Sequence, residues 1–329
     1  MAKLPEPVAR MRLAVRDGLN DLPRGSLVLV ACSGGPDSMA LADTLAFCAP
    51  RAGLRAGLVT VDHGLQEGSA ERAADVAAWG RTVGLDPSEA ASVQVLGSGG
   101  PEAAARAARY AALDWAAERH GARAVLLGHT RDDQAETVLL ALTRGAGPRG
   151  IAGMRAVRGR YRRPLLDIGR ADTHAVCEER GLKPWTDPHN TDPRFRRSAL
   201  RQAMDVLTET LGDDIVANLA RTAALVATDT DHLDAEAAAV YGECRDGAAA
   251  ESAGAPLRVE ALAALPAPLR RRVLRSWIFQ LGVNGADLNH RHLDAIDALI
   301  VAWRGQGPTF LPGGVAVRRE HGKLTAERP

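Results

Sequence analysis

The sequence has few of the residues that build metal clusters and disulfide frameworks, and it lacks a long apolar run. Its 329 residues include only four cysteines, and no two of them form a C-x-x-C pair. This spacing argues against a disulfide-stapled fold and against a zinc or iron–sulfur site. No run approaches the ~18 apolar residues of a membrane-spanning helix, and the N-terminal stretch up to Asp17 carries charges where a signal peptide needs its apolar segment. We therefore expect a cytoplasmic protein with no membrane association.

The net charge is also small, at +1, but it is unevenly distributed. Between Arg155 and Met204 there are twelve basic and six acidic residues, whereas between Glu209 and Glu251 there are two and ten. From Arg258 to Pro329 basic residues dominate again, by eleven to six. Two basic regions separated by an acidic one are typical of a two-part surface for a polyanion, although a single basic stretch is more often a solvated face.

Short apolar runs alternate with longer amphipathic runs in the first ~150 residues, which predicts an α/β fold with a doubly wound parallel sheet. Strands are predicted at 27–32, 58–62, 92–96 and 124–127, and helices at about 5–19, 37–48, 69–83, 101–120 and 132–144. Ligands of such a sheet bind beyond the carboxyl ends of its strands. The residues that directly follow each strand are therefore the first candidates for a functional site.

The most specific motif, Ser33-Gly34-Gly35-Pro36-Asp37-Ser38, follows the first predicted strand. A glycine-rich turn between a buried strand and a helix directs backbone N–H groups at an anion, and we expect a phosphate. The turn is not a Walker A loop, because it has no lysine and the next basic residue is Arg51. S-G-G-x-D-S after a strand resembles the pyrophosphate-binding loop of the ATP pyrophosphatase superfamily, which cleaves ATP between the α and β phosphates. The charge of the phosphate must then be neutralised from elsewhere in the site.

Two histidines follow other predicted strands. His63 lies at the end of the second strand, and His129 follows Gly128 at the end of the fourth. Either histidine could contact a nucleotide, or could be an ordinary packed histidine at a turn.

The helix predicted after the fourth strand carries Asp133 and Glu136 on its polar face. Acidic residues in a first turn also stabilise the helix dipole, so a purely structural interpretation is open. The alternative is that both acids border the nucleotide crevice and hold a cationic substrate or Mg²⁺.

Arg106 and Arg109 lie three residues apart on the helix predicted after Pro101, and Glu102 precedes Arg106 by four. This spacing fits an exposed ion pair worth a few tenths of a kcal/mol. It also fits a source of the positive charge that the lysine-free loop lacks, and we favour this second interpretation for at least one arginine.

Longer segments resemble one family. LGHTRDDQAETVLLALTRGAGPRGIAGM, with VDHGL upstream and CEERGLKPWTDPHNTDPRFRRSALR downstream, is similar to the tRNA(Ile)-lysidine synthetase family. LPAPLRRRVLRSWIFQLGVN and GQGPTFLPGGVAVRRE resemble the first carboxy-terminal tRNA-binding domain of that family. The resemblance implies a catalytic ATP pyrophosphatase (PP-loop) domain of the adenine-nucleotide α-hydrolase type at 1–210, whose region 155–204 binds tRNA and lysine. A connecting helix region at 211–246 and a small α+β tRNA-binding domain at 247–329, mostly helical, would follow.

The family's reaction implies roles for particular residues. ATP would adenylate the position-2 carbonyl of the wobble cytidine in isoleucine tRNA with a CAU anticodon, and free lysine would displace AMP to form lysidine. The resemblance implies that Asp37, His129, Asp133 and Glu136 are catalytic, and that Asp133 and Glu136 also bind lysine. The implied ATP-binding residues are Ser33, Gly34, Gly35, Pro36, Asp37, Ser38, His63, Arg106, Arg109 and Gly128, with Mg²⁺ on Asp37. The implied tRNA-binding residues are Arg194, Phe195, Arg196 and Arg197 in the first basic region and Arg270, Arg271, Arg272 and Arg275 in the second.

Two other functions remain open. A related PP-loop tRNA 2-thiolase would share the loop but would need paired cysteines, which this sequence lacks. A non-catalytic nucleotide-binding or RNA-binding protein on the same fold is disfavoured, because the serines and acids that carry the chemistry are present. A homodimer is compatible with the sequence.

Overall fold

The computed structural model describes residues 4–64, 66, 68–94, 101–185, 196–247, 254–285 and 287–328. For residues 101–102 and 196–198 it describes the backbone alone. The chain divides into two compact units, Met1–Ala227 and Thr228–Pro329. None of the helices in these ranges is long and apolar enough to cross a membrane.

The first unit is built around a six-stranded sheet, in the order β3-β2-β1-β4-β6-β5. Its central pairs are all parallel, and only the short hairpin of β5 with β6 is antiparallel. This confirms the predicted parallel sheet. The strands are β1 (Leu27–Ala31), β2 (Arg55–Asp62), β3 (Ser88–Ser92), β4 (Ala122–Leu127), β5 (Val157–Arg158) and β6 (Tyr161–Arg162).

Helices cover both faces of this sheet because its central strands are apolar on both sides. Val28 and Val30 of β1 belong to one core cluster with α1, α2 and α7, whereas Leu27 and Leu29 belong to a second cluster with α4. The helices are α1 (Glu6–Asp17), α2 (Pro36–Arg51), α3 (Ser69–Thr82), α4 (Pro101–Arg119), α5 (Arg131–Thr143), α6 (Pro148–Ile151), α7 (Arg170–Glu179) and α8 (Arg196–Leu211).

The predicted position of the third strand was wrong. The expected strand at 92–96 followed the apolar residues Val93 and Leu96, but β3 is Ser88–Ser92 and ends where the prediction began. β3 lies at the edge of the sheet and none of its residues is fully buried. An edge strand of this kind does not need an apolar run, so the apolar pattern was a poor guide to its position.

The second unit has its own core and its own antiparallel sheet, in the order β7-β10-β9-β8. Trp277 is fully buried at its centre, and its indole N–H donates to the carbonyl of Ala255 at 2.8 Å. Helix α9 (Ile215–Cys244) begins in the first unit and ends in the second. The other elements are β7 (Leu257–Arg258), α10 (Val259–Ala264), α11 (Ala267–Gln280), α12 (His290–Val301), β8 (Thr309–Phe310), β9 (Ala316–Glu320) and β10 (Lys323–Glu327).

Candidate active site

The segment from Ser33 to Ser38 forms a tight turn between β1 and α2. Gly34 has a φ of +85°, which side-chain-bearing residues rarely adopt, and a Cβ there would lie 3.0 Å from Cγ2 of Val76. Gly35 is the N-cap of α2, and no side chain caps this helix in the described structure. The first-turn N–H groups therefore remain available at the mouth of the turn, as phosphate binding requires.

The two serines of the loop hold it in shape. Ser38 Oγ accepts the backbone N–H of Ser33 at 3.1 Å, lies 3.2 Å from Ser33 Oγ and donates to the Gly35 carbonyl at 3.0 Å. Ser38 is buried, whereas Ser33 is exposed. Ser38 thus stabilises the turn from within, and the exposed side chain of Ser33 is open to solvent.

Gly128 allows the end of β4 to approach the start of α2 closely. A Cβ on Gly128 would lie 3.2 Å from the backbone nitrogen of Ser38 and 3.3 Å from the carbonyl of Asp37. A larger residue would push the strand end away from the loop. The residues that follow β4 are therefore placed directly beside the phosphate-binding turn.

Asp37 links the loop to α7. Its carboxylate accepts a hydrogen bond from the hydroxyl of Thr173. Burial raises the pKa of the Asp37 carboxyl and the neighbouring Asp133 raises it further, while the Thr173 hydrogen bond, Arg170 and His174 oppose the rise. Asp37, at the start of α2, and Asp133, at the start of α5, are thus close enough to interact electrostatically.

The N-terminus of α5 is closed by a capping box between Thr130 and Asp133. The Thr130 N–H donates to the Asp133 carboxylate at 2.8 Å, and the Asp133 N–H donates back to Thr130 Oγ1 at 3.4 Å. This confirms the structural interpretation of Asp133. It leaves a role in ligand binding open, because the second carboxylate oxygen faces Arg170 at 3.3 Å.

Glu136 is buried and is paired with two arginines. Arg170 donates to its Oε1 at 2.9 Å, and Nε of Arg201, on α8, lies 3.4 Å from the same oxygen. Burial raises the pKa of the Glu136 carboxyl, against the lowering effect of both arginines. The two predicted acids are therefore brought together, and one guanidinium contacts both.

The histidines are held neutral by their surroundings. Burial and, to a smaller extent, three arginines lower the pKa of His129 to about 3, against the opposing charge of Asp133. Burial also lowers the pKa of His63, and Arg109 adds to that shift. The arginines that lower the pKa of His129 are Arg163, Arg109 and Arg106. The structure thus places both predicted arginines of α4 near the histidines that follow β2 and β4.

The predicted tRNA contacts of the first basic region mostly lie beyond the described residues. Arg194 and Phe195 fall outside them, as do the side chains of Arg196 and Arg197, whose backbone begins α8. These four residues remain predictions.

In the second unit the structure corrects the prediction for Arg270. This side chain is buried and forms an ion pair with Asp297, with Nε 2.6 Å from Oδ1 and Nη2 3.4 Å from Oδ2. Such a guanidinium cannot contact a tRNA phosphate. Three consecutive arginines on a helix point in directions 100° apart, and Arg270 is the one that faces the core.

The remaining arginines of α11 are closer to the surface. Arg272 is mostly covered and pairs with Asp234 at 2.8 Å. Arg271 is 51% exposed and pairs with Asp294 at 2.8 Å, and Arg275 stacks over Phe279 with its Cζ 4.9 Å from the ring centroid. Arg271 and Arg275 therefore remain the better candidates for contact with a polyanion.

Sequence reasoning missed Arg163, Arg170 and Thr173. Arg170 and Thr173 lie on α7, and no spacing in the sequence connects them to Asp37 or Glu136. The only signal was the general one that a basic region begins near Arg155.

Two family models match the chain. A PP-loop domain covers residues 10–207, and a TilS substrate binding domain covers residues 257–325. The tRNA(Ile)-lysidine synthase of Salinispora tropica is 55% identical over 100% of this chain and 99% of its own length. That of Thermobifida fusca is 54% identical over 98% of each chain, and that of Streptomyces coelicolor is 50% identical over 97% and 98%.

A solved structure shares the fold at low sequence identity. The U34-tRNA thiolase NcsA from Methanococcus maripaludis, with its [4Fe-4S] cluster, matches with a TM-score of 0.56 and 18% identity. The match covers 68% of this chain and 80% of the thiolase. At this level of identity the likeness supports the fold alone.

Proposed function

The chain belongs to the tRNA(Ile)-lysidine synthase family, and from this membership we propose that it joins free lysine to the wobble cytidine of isoleucine tRNA with a CAU anticodon, at the expense of ATP. The observation that carries the proposal is the placement of the loop Ser33–Ser38 beside the acids Asp133 and Glu136, at the carboxyl ends of neighbouring strands β1 and β4. A phosphate site next to an acidic pair suits a reaction between a nucleotide and an amine.

ATP is needed because the carbonyl oxygen of a pyrimidine is a poor leaving group. Transfer of AMP from ATP to this oxygen forms a phosphate ester and releases pyrophosphate. Attack by the ε-amine of lysine at the same carbon then expels AMP and forms the new carbon–nitrogen bond. The protein must therefore hold the departing pyrophosphate, the activated base and the amine in one crevice.

The loop would hold the phosphates of ATP. The Ser33 hydroxyl and the first-turn N–H groups of α2 supply hydrogen bonds, while Gly34 and Gly35 allow the backbone to approach closely. In the described ranges no three His, Cys, Asp or Glu side chains converge as a metal cluster. Asp37 alone still fits Mg²⁺, which takes one or two carboxylates together with phosphate oxygens and waters. Bound there, Mg²⁺ would neutralise charge on the phosphates.

Asp133 and Glu136 would receive the lysine side chain. Their carboxylates already share the guanidinium of Arg170, so a cation of similar charge is compatible with the pair. The amine must lose its proton before it attacks. His129, with a pKa of about 3, is a weak proton acceptor in the ligand-free protein. Phosphate bound near the arginines would offset their smaller share of this shift but would leave its main cause, burial, in place, so the role of His129 as a base stays a prediction.

Contact with tRNA would involve both basic regions, through Arg271 and Arg275 in the second unit and residues 194–197 in the first. We place the protein in the cytoplasm, where ATP, lysine and tRNA are available. A homodimer remains a prediction that light scattering of the purified protein tests directly.

The rival function as a PP-loop tRNA 2-thiolase is not favoured. All four cysteines are buried and free, and burial raises the pKa of Cys32 and of Cys177, the two nearest the loop. Thiols held in this way are poor carriers of sulfur. The full-length relatives are also named as lysidine synthases rather than thiolases.

One assay tests the proposed function. The full-length protein is incubated with ATP, Mg²⁺, labelled lysine and an isoleucine tRNA transcript that carries CAU, and a transcript with a different wobble base serves as the control. We expect label in the first transcript only. Absence of label, while circular dichroism shows a folded protein, would overturn the proposal.

A further inference from the structure

Arg163, directly after β6, is a buried cation without a buried anion. Only 6% of the residue is exposed. Its Nη1 donates to the carbonyl of Arg155 at 3.0 Å, its Nη2 donates to the Tyr110 hydroxyl at 3.4 Å, and its Nε has no hydrogen-bond partner. Among the described residues it forms no ion pair. By contrast, the neighbouring Arg162 is paired with Asp21.

An uncompensated buried charge is costly to keep. The penalty for removing a guanidinium from water amounts to several kcal/mol, and neutral acceptors recover only part of it. Natural structures keep such a group where a ligand of opposite charge completes the site, because the unbalanced charge then increases the affinity for that ligand. Arg163 therefore points to an anion other than the carboxylates that the structure describes.

Two further arginines converge on the same place. Arg106 Nη2 lies 3.4 Å from the Tyr110 hydroxyl, and Cζ of Arg109 lies 5.5 Å from the Tyr110 ring centroid. Burial alone would raise the pKa of Tyr110, but Arg106, Arg163 and Arg109 together lower it. Arg106, like Arg163, forms no ion pair with any side chain that the structure describes, a set that leaves out Glu102. Three guanidiniums around one phenol make a strongly positive site.

The strand register places this site at the functional end of the sheet. β6 is parallel to β4, with Arg162 opposite Leu126, so Arg163 is level with the last residue of β4. Gly128 and His129 follow directly, and Gly128 is packed against the start of the phosphate loop. The three arginines thus lie at the carboxyl ends of the strands, where ligands of such sheets bind.

We propose that Arg163, together with Arg106 and Arg109, forms a phosphate-binding site that supplies the positive charge missing from the lysine-free loop. The proposal rests on the proposed function, which supplies two possible sources of phosphate. They are the β and γ phosphates of ATP and the backbone of the tRNA anticodon. Arg163 is a binding residue in either case, and the Tyr110 hydroxyl positions it.

The test replaces Arg163 by Gln in the full-length protein and measures binding by calorimetry, without turnover. Mg²⁺–ATP, AMP and an unmodified tRNA transcript are titrated separately. If the site holds the outer phosphates of ATP, ATP binds about tenfold more weakly or worse, because a charge-assisted hydrogen bond is lost, while AMP and tRNA bind as before. If it holds a tRNA phosphate, tRNA affinity falls instead, and the slope of its logarithm against log salt decreases by about one. Unchanged binding of both ATP and tRNA would overturn the proposal.

A matched control separates ligand binding from folding. Arg162→Gln removes the adjacent arginine, which has an acidic partner, and should leave both affinities unchanged. Because the charge of Arg163 is unbalanced without ligand, Arg163→Gln should melt at the same temperature as the wild type or higher. If the site holds the outer phosphates of ATP, this variant should also lose the stabilisation that pyrophosphate confers. A ligand-free melting temperature lower than that of Arg162→Gln would show that Arg163 is only structural. These readouts need no lysine transfer, so they stand apart from the assay of the proposed function.

Discussion

The guanidinium of Arg170 donates to the carboxylate of Glu136 at 2.9 Å, across 34 residues of sequence. The same side chain reaches Asp133 at 3.3 Å, and Thr173, one turn further along α7, donates to Asp37. Helix α7 is therefore the element that joins the acidic pair on α5 to the loop before α2. Any movement of α7 would change the surroundings of the acidic pair and of the loop together.

Replacing Arg170 by Met should destabilise the fold and weaken lysine binding. Glu136 is buried and would keep only Arg201 as a partner, so we expect a loss of about 2–3 kcal/mol in the free energy of unfolding. We also expect a rise in the KM for lysine of about tenfold or more, because the two carboxylates would no longer be held together. Urea titration and steady-state kinetics measure the two effects.

Arg180→Met is the matched control for Arg170→Met. Arg180 lies at the end of the same helix and pairs with Asp43 at 2.9 Å, but its side chain is 43% exposed. The Asp43 side chain is 10% exposed, but the guanidinium of Arg180 reaches solvent, so we expect a loss of about 1 kcal/mol, which is smaller than for Arg170→Met. Equal losses of stability in the two variants would contradict the conclusion that Arg170 is needed to compensate the buried charge of Glu136.

Asp37→Asn should abolish turnover and leave tRNA binding nearly intact. The amide oxygen can still accept from Thr173, so the local fold should be retained, but the negative charge next to the phosphates is lost. Release of pyrophosphate from ATP and filter binding of tRNA are measured on the same preparation. A large fall in tRNA affinity would mean that the loop contacts tRNA rather than ATP.

Sequence analysis can locate those parts of the candidate site whose residues are adjacent in the chain. The loop from Ser33 to Ser38 and the acids Asp133 and Glu136 each follow a strand, and strand ends are recognisable from apolar runs. Arg170 could not be assigned, because its partners depend on how α7 packs rather than on any spacing. The prediction that Arg270 binds tRNA was wrong for the same reason, since a run of arginines does not show which one faces the core.

The low pKa of His129 predicts a pH dependence of stability. Its pKa is about 6.5 in an unfolded chain and about 3 in the fold, so between these values the unfolded chain binds a proton that the folded protein does not. Stability must then fall as the pH drops below about 6.5, by up to about 2 kcal/mol between pH 7 and pH 5. Chemical denaturation at both pH values should show this loss in the wild type and less of it in His129→Asn. Identical losses would mean that His129 is not held neutral.

Substitutions of Arg270 and Arg271 should affect different properties of the protein, its stability in the first case and its tRNA affinity in the second. Arg270→Ala removes the main partner of the buried Asp297 and leaves only Nε of Arg271, 3.7 Å from its Oδ2, so we expect a loss of about 2–3 kcal/mol in stability. Arg271→Ala removes a side chain that is 51% exposed, so stability should change by less than about 1 kcal/mol. Its tRNA affinity should instead fall, and the salt slope should decrease by about one if the guanidinium contacts a phosphate. Binding of the transcript across a salt series, with melting curves for both variants, measures the contrast. A stable Arg271→Ala protein with the wild-type salt slope would remove Arg271 from the tRNA interface and leave Arg275 as the candidate on α11.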